Sequence, residues 1–183
     1  MIKEIKIYPR YVMDQFAASG GMHFPYHDLP WHLISIYGDG EADLLTNENK
    51  KVFQEMGCRH FLSLNFWDIV KQTDLPPGIG IVFHKGQAKQ TVDMIKKIQE
   101  EKEDSVLVAH CSAGISRSGA IGVFACDYCR LDYGEFMKKN PSLMANPYVL
   151  RLLRREAGMI PDFGSHDGID PTECERGDTI FEV

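Results

Sequence analysis

Nine consecutive residues near the middle of the chain, 110–118 (HCSAGISRS), combine a thiol, a guanidinium and several hydroxyls. They follow a short apolar run at 106–109 and precede another at 120–126, which predicts a buried strand, a tight loop and then a helix. A loop that closes onto a helix N-terminus directs several backbone N–H groups at one point, and the helix dipole adds positive potential there. Gly114 permits the left-handed backbone that such a loop requires. The segment therefore predicts an anion-binding loop.

Cys111 and Arg117 give this predicted loop a chemical function. Hydrogen-bond donors and a nearby guanidinium stabilise a thiolate, and they would lower the pKa of Cys111 below the free value of about 8.5. A thiolate is a strong nucleophile at neutral pH. Arg117 presents a planar fork of donors that matches two oxygens of a phosphate, and the Ser118 hydroxyl can hydrogen-bond the sulfur as it leaves in a second step. The predicted phosphate-binding residues are Ser112, Ala113, Gly114, Ile115, Ser116 and Arg117.

The string His-Cys-x-x-Gly-x-x-Arg-Ser at 110–118 resembles the signature of the cysteine-dependent protein tyrosine phosphatase superfamily. The short chain resembles the dual-specificity branch of that superfamily or its small bacterial and phage-type enzymes. The stretch 140–153 (NPSLMANPYVLRLL) resembles the closing segment of the family, so that the resemblance covers roughly residues 30–158. It implies a tyrosine phosphatase-like α/β fold and hydrolysis of phosphomonoesters through a cysteinyl-phosphate intermediate, with no metal and no cofactor. The implied partner is a phosphorylated protein or peptide.

This chemistry also requires an acid, because protonation of the leaving oxygen makes its departure easier. The resemblance implies that the acid follows the strand upstream of the signature, and Asp68 holds that position at the end of 62–68 (LSLNFWD). Asp74 is the alternative: it precedes Cys111 by 37 residues (111 − 74), closer to the common family interval than the 43 (111 − 68) of Asp68. We favour Asp68, because position relative to the strand end is the geometric requirement, whereas loop length varies. His110 is expected to orient the loop by hydrogen bonding.

The elements that position these residues alternate along the chain. Strands are predicted at the N-terminus and at 32–37, 60–66 and 106–110, and helices at 11–18, 47–56, 87–100, 118–130 and 133–139, followed by a last helix with Asn146 as N-cap and Pro147 as first residue. This order predicts an α/β domain whose largely parallel central sheet is flanked by helices. Because loops at the carboxyl ends of parallel strands share one edge of the sheet, Asp68 and Cys111 are expected to share a cleft.

Length and composition indicate one domain, 1–160, which the resemblance implies is a phosphatase domain, and an acidic C-terminal tail, 161–183, that is extended or disordered. The tail holds seven acids against Arg176, which gives −6, so that the remainder of a chain of net charge −6 is about neutral. No basic stripe suited to nucleic acid occurs, and no run approaches the roughly 20 apolar residues of a membrane span. Five cysteines, an odd number without a regular framework, indicate free thiols in the cytoplasm.

Other interpretations of the loop remain open at this stage. A rhodanese-type sulfurtransferase or a thiol-dependent arsenate reductase also places a cysteine in an anion-binding loop, but neither accounts for the His-Cys pair together with an upstream acid. A non-catalytic phosphopeptide-binding module would use the same loop. The loop positions Ser112, Ala113, Ile115 and Ser116 carry no cation for additional phosphates. A phosphoprotein, and phosphotyrosine in particular, is therefore the favoured substrate.

Two further patterns are given structural interpretations. His23, His27 and His32, with Asp28 beside them, match no defined zinc spacing. The segment 22–31 is predicted to be a folded loop, and His32 is predicted to begin the next strand. Cys126 and Cys129 form a Cys-x-x-Cys string more than two turns inside a predicted helix, whereas redox-active pairs begin at a helix N-terminus. Packing is therefore the favoured role of both cysteines.

Overall fold

The computed structural model describes residues 1–20, 28–38, 40–69 and 81–159. Within these ranges four strands and six helices alternate broadly as the sequence predicts. The strands are Ile2–Pro9 (β1), Trp31–Tyr37 (β2), Cys58–Asn65 (β3) and Ser105–Cys111 (β4). The helices are Arg10–Ala18 (α1), Asn47–Glu55 (α2), Lys85–Glu100 (α3), Arg117–Tyr128 (α4), Tyr133–Lys139 (α5) and Pro147–Glu156 (α6).

The strands form one sheet in the order β1-β4-β2-β3, and every neighbouring pair is parallel. All seven residues of β4 are buried, since β1 and β2 pair with it on either side and helices cover both faces. A parallel strand covered on both faces needs a nearly continuous apolar sequence, which explains the run at 106–109. The predicted α/β class with a parallel central sheet is confirmed.

Alternate side chains of the central strands divide the core into two layers. Ile34 and Leu107 lie on the face packed by α3, α4 and α6. Leu33 and Val108 point to the opposite face, where they join Met13 of α1 and other buried residues near α2. This alternation is the period of two expected of strands. The rigid sheet that results presents the carboxyl ends of β2, β3 and β4 at one edge.

Capping residues determine where the last helix begins. Asn146 Oδ1 accepts hydrogen bonds from the backbone N–H groups of Tyr148 and Val149, at 3.0 and 3.1 Å, and Pro147 occupies the first turn. The predicted N-cap is therefore confirmed. Helix α4 is buried over most of its length. A Cβ on Gly122 of α4 would lie 2.7 Å from Ile7 Cδ1, so that the missing side chain allows β1 to pack closely.

Several predictions concern residues outside the described ranges: the alternative acid Asp74, the tail 161–183, Cys174, and His23 and His27. Trp31, predicted to lie in the loop, begins β2, and Arg117, predicted to lie in the anion-binding loop, begins α4. None of the helices in the described ranges has the length and apolar character needed to cross a bilayer.

Candidate active site

The loop between β4 and α4 follows the predicted course. Gly114 adopts a φ of 70°, in the left-handed region, which confirms the expectation from sequence. A Cβ at this position would lie 2.6 Å from the backbone N of Pro9 and 2.7 Å from the carbonyl carbon of Tyr8. Glycine is thus required twice, by the backbone angle and by the close approach of the end of β1.

Replacement of Gly114 by alanine is expected to lower both the free energy of unfolding and the phosphatase activity proposed below. The left-handed angle alone costs roughly 1–2 kcal/mol for a residue with a Cβ, and the clash with the β1 backbone adds to this. Gly158→Ala is the matched control, since Gly158 has a φ of 72° but nothing within 4 Å of the added Cβ. Urea unfolding of both variants measures the difference. Equal destabilisation would show that the contact with β1 is unimportant.

Neighbouring segments hold the loop through its carbonyl groups. The backbone N–H of Arg10 donates to Ser112 O at 3.1 Å, and the N–H of Asn146 donates to Ser116 O at the same distance. Met144 N–H donates to Ile115 O at 3.3 Å. Because these carbonyls are bonded to neighbouring segments, the loop can direct its own N–H groups inward, towards Cys111.

Cys111 lies where those N–H groups converge. Its side chain is 2% exposed, and its Sγ is 3.1 Å from Ser118 Oγ. Burial by itself would raise the pKa of Cys111. Hydrogen bonds from the Ser118 hydroxyl, and from the backbone N–H groups of Ser118, Ile115 and Gly114, outweigh burial and lower the pKa below the ordinary value. The geometry thus makes the Cys111 thiolate easier to form than the thiolate of a free cysteine.

Alkylation by iodoacetamide is expected to report this lowered pKa. Since the thiolate reacts and the thiol does not, a lowered pKa keeps the reactive fraction high as the pH falls. The rate of Cys111 modification should have its midpoint below the pH of about 8.5 that is typical of a free thiol. Peptide mass spectrometry separates this signal from Cys129, where burial raises the pKa to about 11. A midpoint for Cys111 at or above 8.5 would contradict the electrostatic argument.

Arg117 lies beside the loop and is 7% exposed. Its Nη1 donates to Phe66 O at 3.1 Å, and its Nη2 donates to Ser112 Oγ at 2.6 Å. Its Nε has no hydrogen-bond partner within the described part of the chain, although the atom is buried. A buried donor without an acceptor is costly, and an oxygen of a bound phosphate would satisfy it.

Glu41 is a member of the site that the sequence analysis missed. Its carboxylate accepts hydrogen bonds from Ser112 Oγ and from Gly38 N–H, and it lies 3.7 Å from Arg117 Nη1. Burial would raise the pKa of Glu41, but these hydrogen bonds and the Arg117 charge outweigh burial and lower it. Glu41 follows the carboxyl end of β2, so that the same topological rule that selected Asp68 also applies to it.

Asp68 lies at the rim of the loop, three residues beyond the end of β3. Its Oδ1 accepts hydrogen bonds from Ser116 Oγ at 2.7 Å and from Asn146 Nδ2 at 2.8 Å. Asn146 is 1% exposed and also donates to Ile69 O, at 2.9 Å. One buried amide therefore caps α6 and anchors the segment that carries Asp68. Asp68 itself remains exposed to solvent.

His110, immediately before the nucleophile candidate, is fully buried, and its Nε2 lies 2.8 Å from Ser35 Oγ of β2. Burial lowers the pKa of His110 to about 4, and the Arg10 charge acts in the same direction. The imidazole is therefore neutral at physiological pH. These observations support the expected orienting role, because a buried neutral ring bonded to β2 fixes the end of β4.

Comparison with known proteins finds a match between part of the chain and one family model. Residues 82–155 match the family model described as protein-tyrosine phosphatase. The match contains Cys111, Arg117 and the whole loop, whereas Glu41 and Asp68 lie before it. No curated protein sequence matches the chain.

Solved structures with similar coordinates include the three that follow. The crystal structure of Tk-PTP in the active form has 18% identity and a TM-score of 0.48, with 85% of this chain and 91% of that chain covered. PTPMT1 in complex with PI(5)P has 15% identity and a TM-score of 0.46, with 85% of this chain and 90% of that chain covered. Human DUSP28 has 13% identity and a TM-score of 0.45, with 84% of this chain and 91% of that chain covered.

Proposed function

We propose that the chain is a cysteine-dependent phosphatase, since residues 82–155 match the protein-tyrosine phosphatase family model, and that it hydrolyses phosphomonoesters with Cys111 as the nucleophile. The observation that carries this proposal is the position of Cys111 Sγ, 3.1 Å from Ser118 Oγ and hydrogen-bonded by N–H groups of the loop. These donors stabilise both the thiolate and the oxygens of a phosphate bound at the same point. Residues 1–160 form the catalytic domain in this proposal.

In the first step, the Cys111 thiolate attacks phosphorus in line with the ester oxygen. The S–P bond forms as the P–O bond breaks, and Asp68 gives its proton to the departing oxygen. The product alcohol or phenol then leaves, with the phosphoryl group attached to Cys111.

In the second step, water attacks the phosphoryl group. Asp68, now a carboxylate, takes a proton from the water as the new P–O bond forms and the S–P bond breaks. The sulfur leaves as a thiolate, which the Ser118 hydroxyl stabilises by hydrogen bonding. Inorganic phosphate is released, and the enzyme returns to its starting state without a metal or a cofactor.

Arg117 and the loop amides supply electrostatic stabilisation in both steps. The planar guanidinium binds two equatorial oxygens, and Nε is the donor that the described residues leave unpaired. Glu41 is placed to orient Arg117, since its carboxylate lies beside both Nη1 and Ser112. Removal of a single preorganised donor of this kind typically lowers kcat by about 10²–10³-fold.

We propose a phosphorylated protein or peptide as the substrate, with phosphotyrosine as the preferred residue. The loop side chains Ser112, Ala113, Ile115 and Ser116 carry no positive charge that would bind additional phosphates. Reducing surroundings keep a low-pKa thiolate active, and the described cysteines are free. We therefore propose a cytoplasmic location.

A substrate panel tests this proposal. Wild-type protein is assayed with EDTA against phosphotyrosine and phosphothreonine peptides, a phosphoinositide and an aryl phosphate. We expect phosphate release that EDTA does not inhibit, fastest from phosphotyrosine and the aryl ester. Preference for the phosphoinositide would replace the protein substrate with a lipid. Absence of phosphate release from folded protein, together with sulfur transfer from thiosulfate, would refute the phosphatase function.

A further inference from the structure

A second cluster of ionisable side chains lies at the opposite edge of the sheet from Cys111. His32 and His60 are paired neighbours near the starts of β2 and β3. Glu101 is the C-cap residue of α3 and extends its carboxylate towards both rings. The cluster thus joins two strands to the end of one helix, and it shares no residue with the catalytic site.

His32 is the unusual member of this cluster. Its side chain is 0% exposed, and within the described ranges neither ring nitrogen has a hydrogen-bond partner. Glu101 Oε2 is also buried without such a partner in the same ranges, and its 3.9 Å distance from His32 Nε2 is too long for a hydrogen bond. A buried polar group without a partner is unfavourable. A cation held between these side chains would contact both His32 and Glu101.

The ligand atoms are already close to the arrangement of a metal site. His60 Nε2 lies 2.6 Å from Glu101 Oε1, and the two imidazole rings stack with centroids 5.0 Å apart and an interplanar angle of 17°. One donor atom from each of the three residues lies within 4.8 Å of the others. Tetrahedral zinc, with metal–ligand bonds of about 2.0–2.2 Å, requires its ligand atoms to lie roughly 3.3–3.5 Å from one another. To reach that geometry, the 2.6 Å pair must open and the longer separations must close.

We propose that His32, His60 and Glu101 bind a divalent transition-metal ion of the Zn²⁺ class, which fastens the starts of β2 and β3 to the end of α3. Two imidazoles and one carboxylate favour such an ion over Mg²⁺ or Ca²⁺, which prefer oxygen ligands only. Three protein ligands leave a fourth position for water.

Two cations near the cluster are bonded to groups other than the Glu101 carboxylate. The neighbouring cation Arg59 forms an ion pair with Glu103, in which Nη2 lies 2.6 Å from Oε2. The Met1 ammonium donates to the backbone carbonyl of Glu101 at 3.0 Å, and not to its carboxylate. The carboxylate of Glu101 is therefore left to the two histidines and the ion.

Zinc binding by the full chain tests the proposal, with Cys111→Ser as the background so that the active-site thiolate cannot bind the ion. We expect one tightly bound Zn²⁺ per chain by calorimetry and a rise in Tm that grows with Zn²⁺ concentration. Glu101→Gln and His60→Gln in this background should each lower the Zn²⁺ affinity. The loss should exceed the roughly 10–100-fold that follows removal of a residue that only hydrogen-bonds to a metal ligand. Both side chains are partly exposed, so that these variants should fold.

Glu103→Gln is the matched control, because Glu103 is two residues away and pairs only with Arg59 among the ion pairs described. It should keep the Zn²⁺ affinity and the Tm shift. Binding of Co²⁺ provides a second readout. In the Cys111→Ser background we expect visible absorption with the intensity typical of four-coordinate Co²⁺, and this absorption should disappear when Glu101→Gln is added. No Zn²⁺ binding, or binding that survives both Glu101→Gln and His60→Gln, would overturn the proposal in favour of a histidine–carboxylate pair.

Discussion

Cys111→Ser is expected to lower kcat for an aryl phosphate by on the order of 10⁴-fold or more, the scale seen when a nucleophile is removed. A serine hydroxyl ionises far less readily than the thiol, whose pKa the loop lowers. The loop N–H groups and Arg117 remain in the variant, so that phosphate should still bind. Steady-state hydrolysis and inorganic phosphate binding, measured on the same preparation, check both parts of this prediction.

Cys129→Ser controls for the general effect of losing a thiol. Cys129 lies at the end of α4 on the same chain, but it contacts no loop residue in the hydrogen bonds described, and burial raises its pKa to about 11. Its replacement should leave turnover within about twofold of wild type, as expected for a change away from the chemistry. Substantial turnover in Cys111→Ser would assign the nucleophile to another group.

Asp68→Asn is expected to lower kcat/KM by about 10²–10⁴-fold for alkyl phosphates, because the amide cannot protonate the leaving oxygen. The loss should be much smaller for an aryl phosphate with an acidic leaving group, which departs without protonation. This dependence on the leaving group separates acid catalysis from a structural effect. The separation matters because Asp68 also accepts hydrogen bonds from Ser116 and Asn146, and loss of those contacts would affect all substrates alike.

Asp74→Asn is the comparison variant, since Asp74 is the alternative acid by sequence interval. It should retain near wild-type rates for every leaving group. If Asp74→Asn shows the leaving-group dependence and Asp68→Asn does not, the acid is Asp74. A uniform loss in Asp68→Asn, equal for alkyl and aryl esters, would leave Asp68 with only an anchoring role.

The local features of the fold follow directly from the sequence. The strand, loop and helix around Cys111, the left-handed Gly114 and the Asn146 cap all depend on residues within a few positions of one another. Apolar runs, turn residues and caps record such short-range preferences. The parallel sheet follows in turn from the alternation of strands and helices, because parallel neighbours need crossover helices.

The contacts that complete the site are long-range, and they were not predicted. Ser112 and Glu41 are separated by 71 residues, His110 and Ser35 by 75, and Asn146 and Asp68 by 78. These pairs depend on the strand order β1-β4-β2-β3, which local periodicity does not reveal. Glu41 could have been suspected, since it is an acid just beyond a predicted strand end. The role of Ser35, and the hydrogen bonds of the Asn146 amide to Asp68 and Ile69, had no comparable signal.

The most direct measurement of the central claim is rapid-quench mass spectrometry of the wild-type protein during turnover of an aryl phosphate. Acid quenching preserves a cysteinyl phosphate long enough to map it, and Ser118→Ala should raise its amount by slowing departure of the sulfur. The mechanism predicts one phosphoryl group per chain on the peptide that contains Cys111. Phosphate release with no phosphoryl group ever found on Cys111, in either protein, would contradict it.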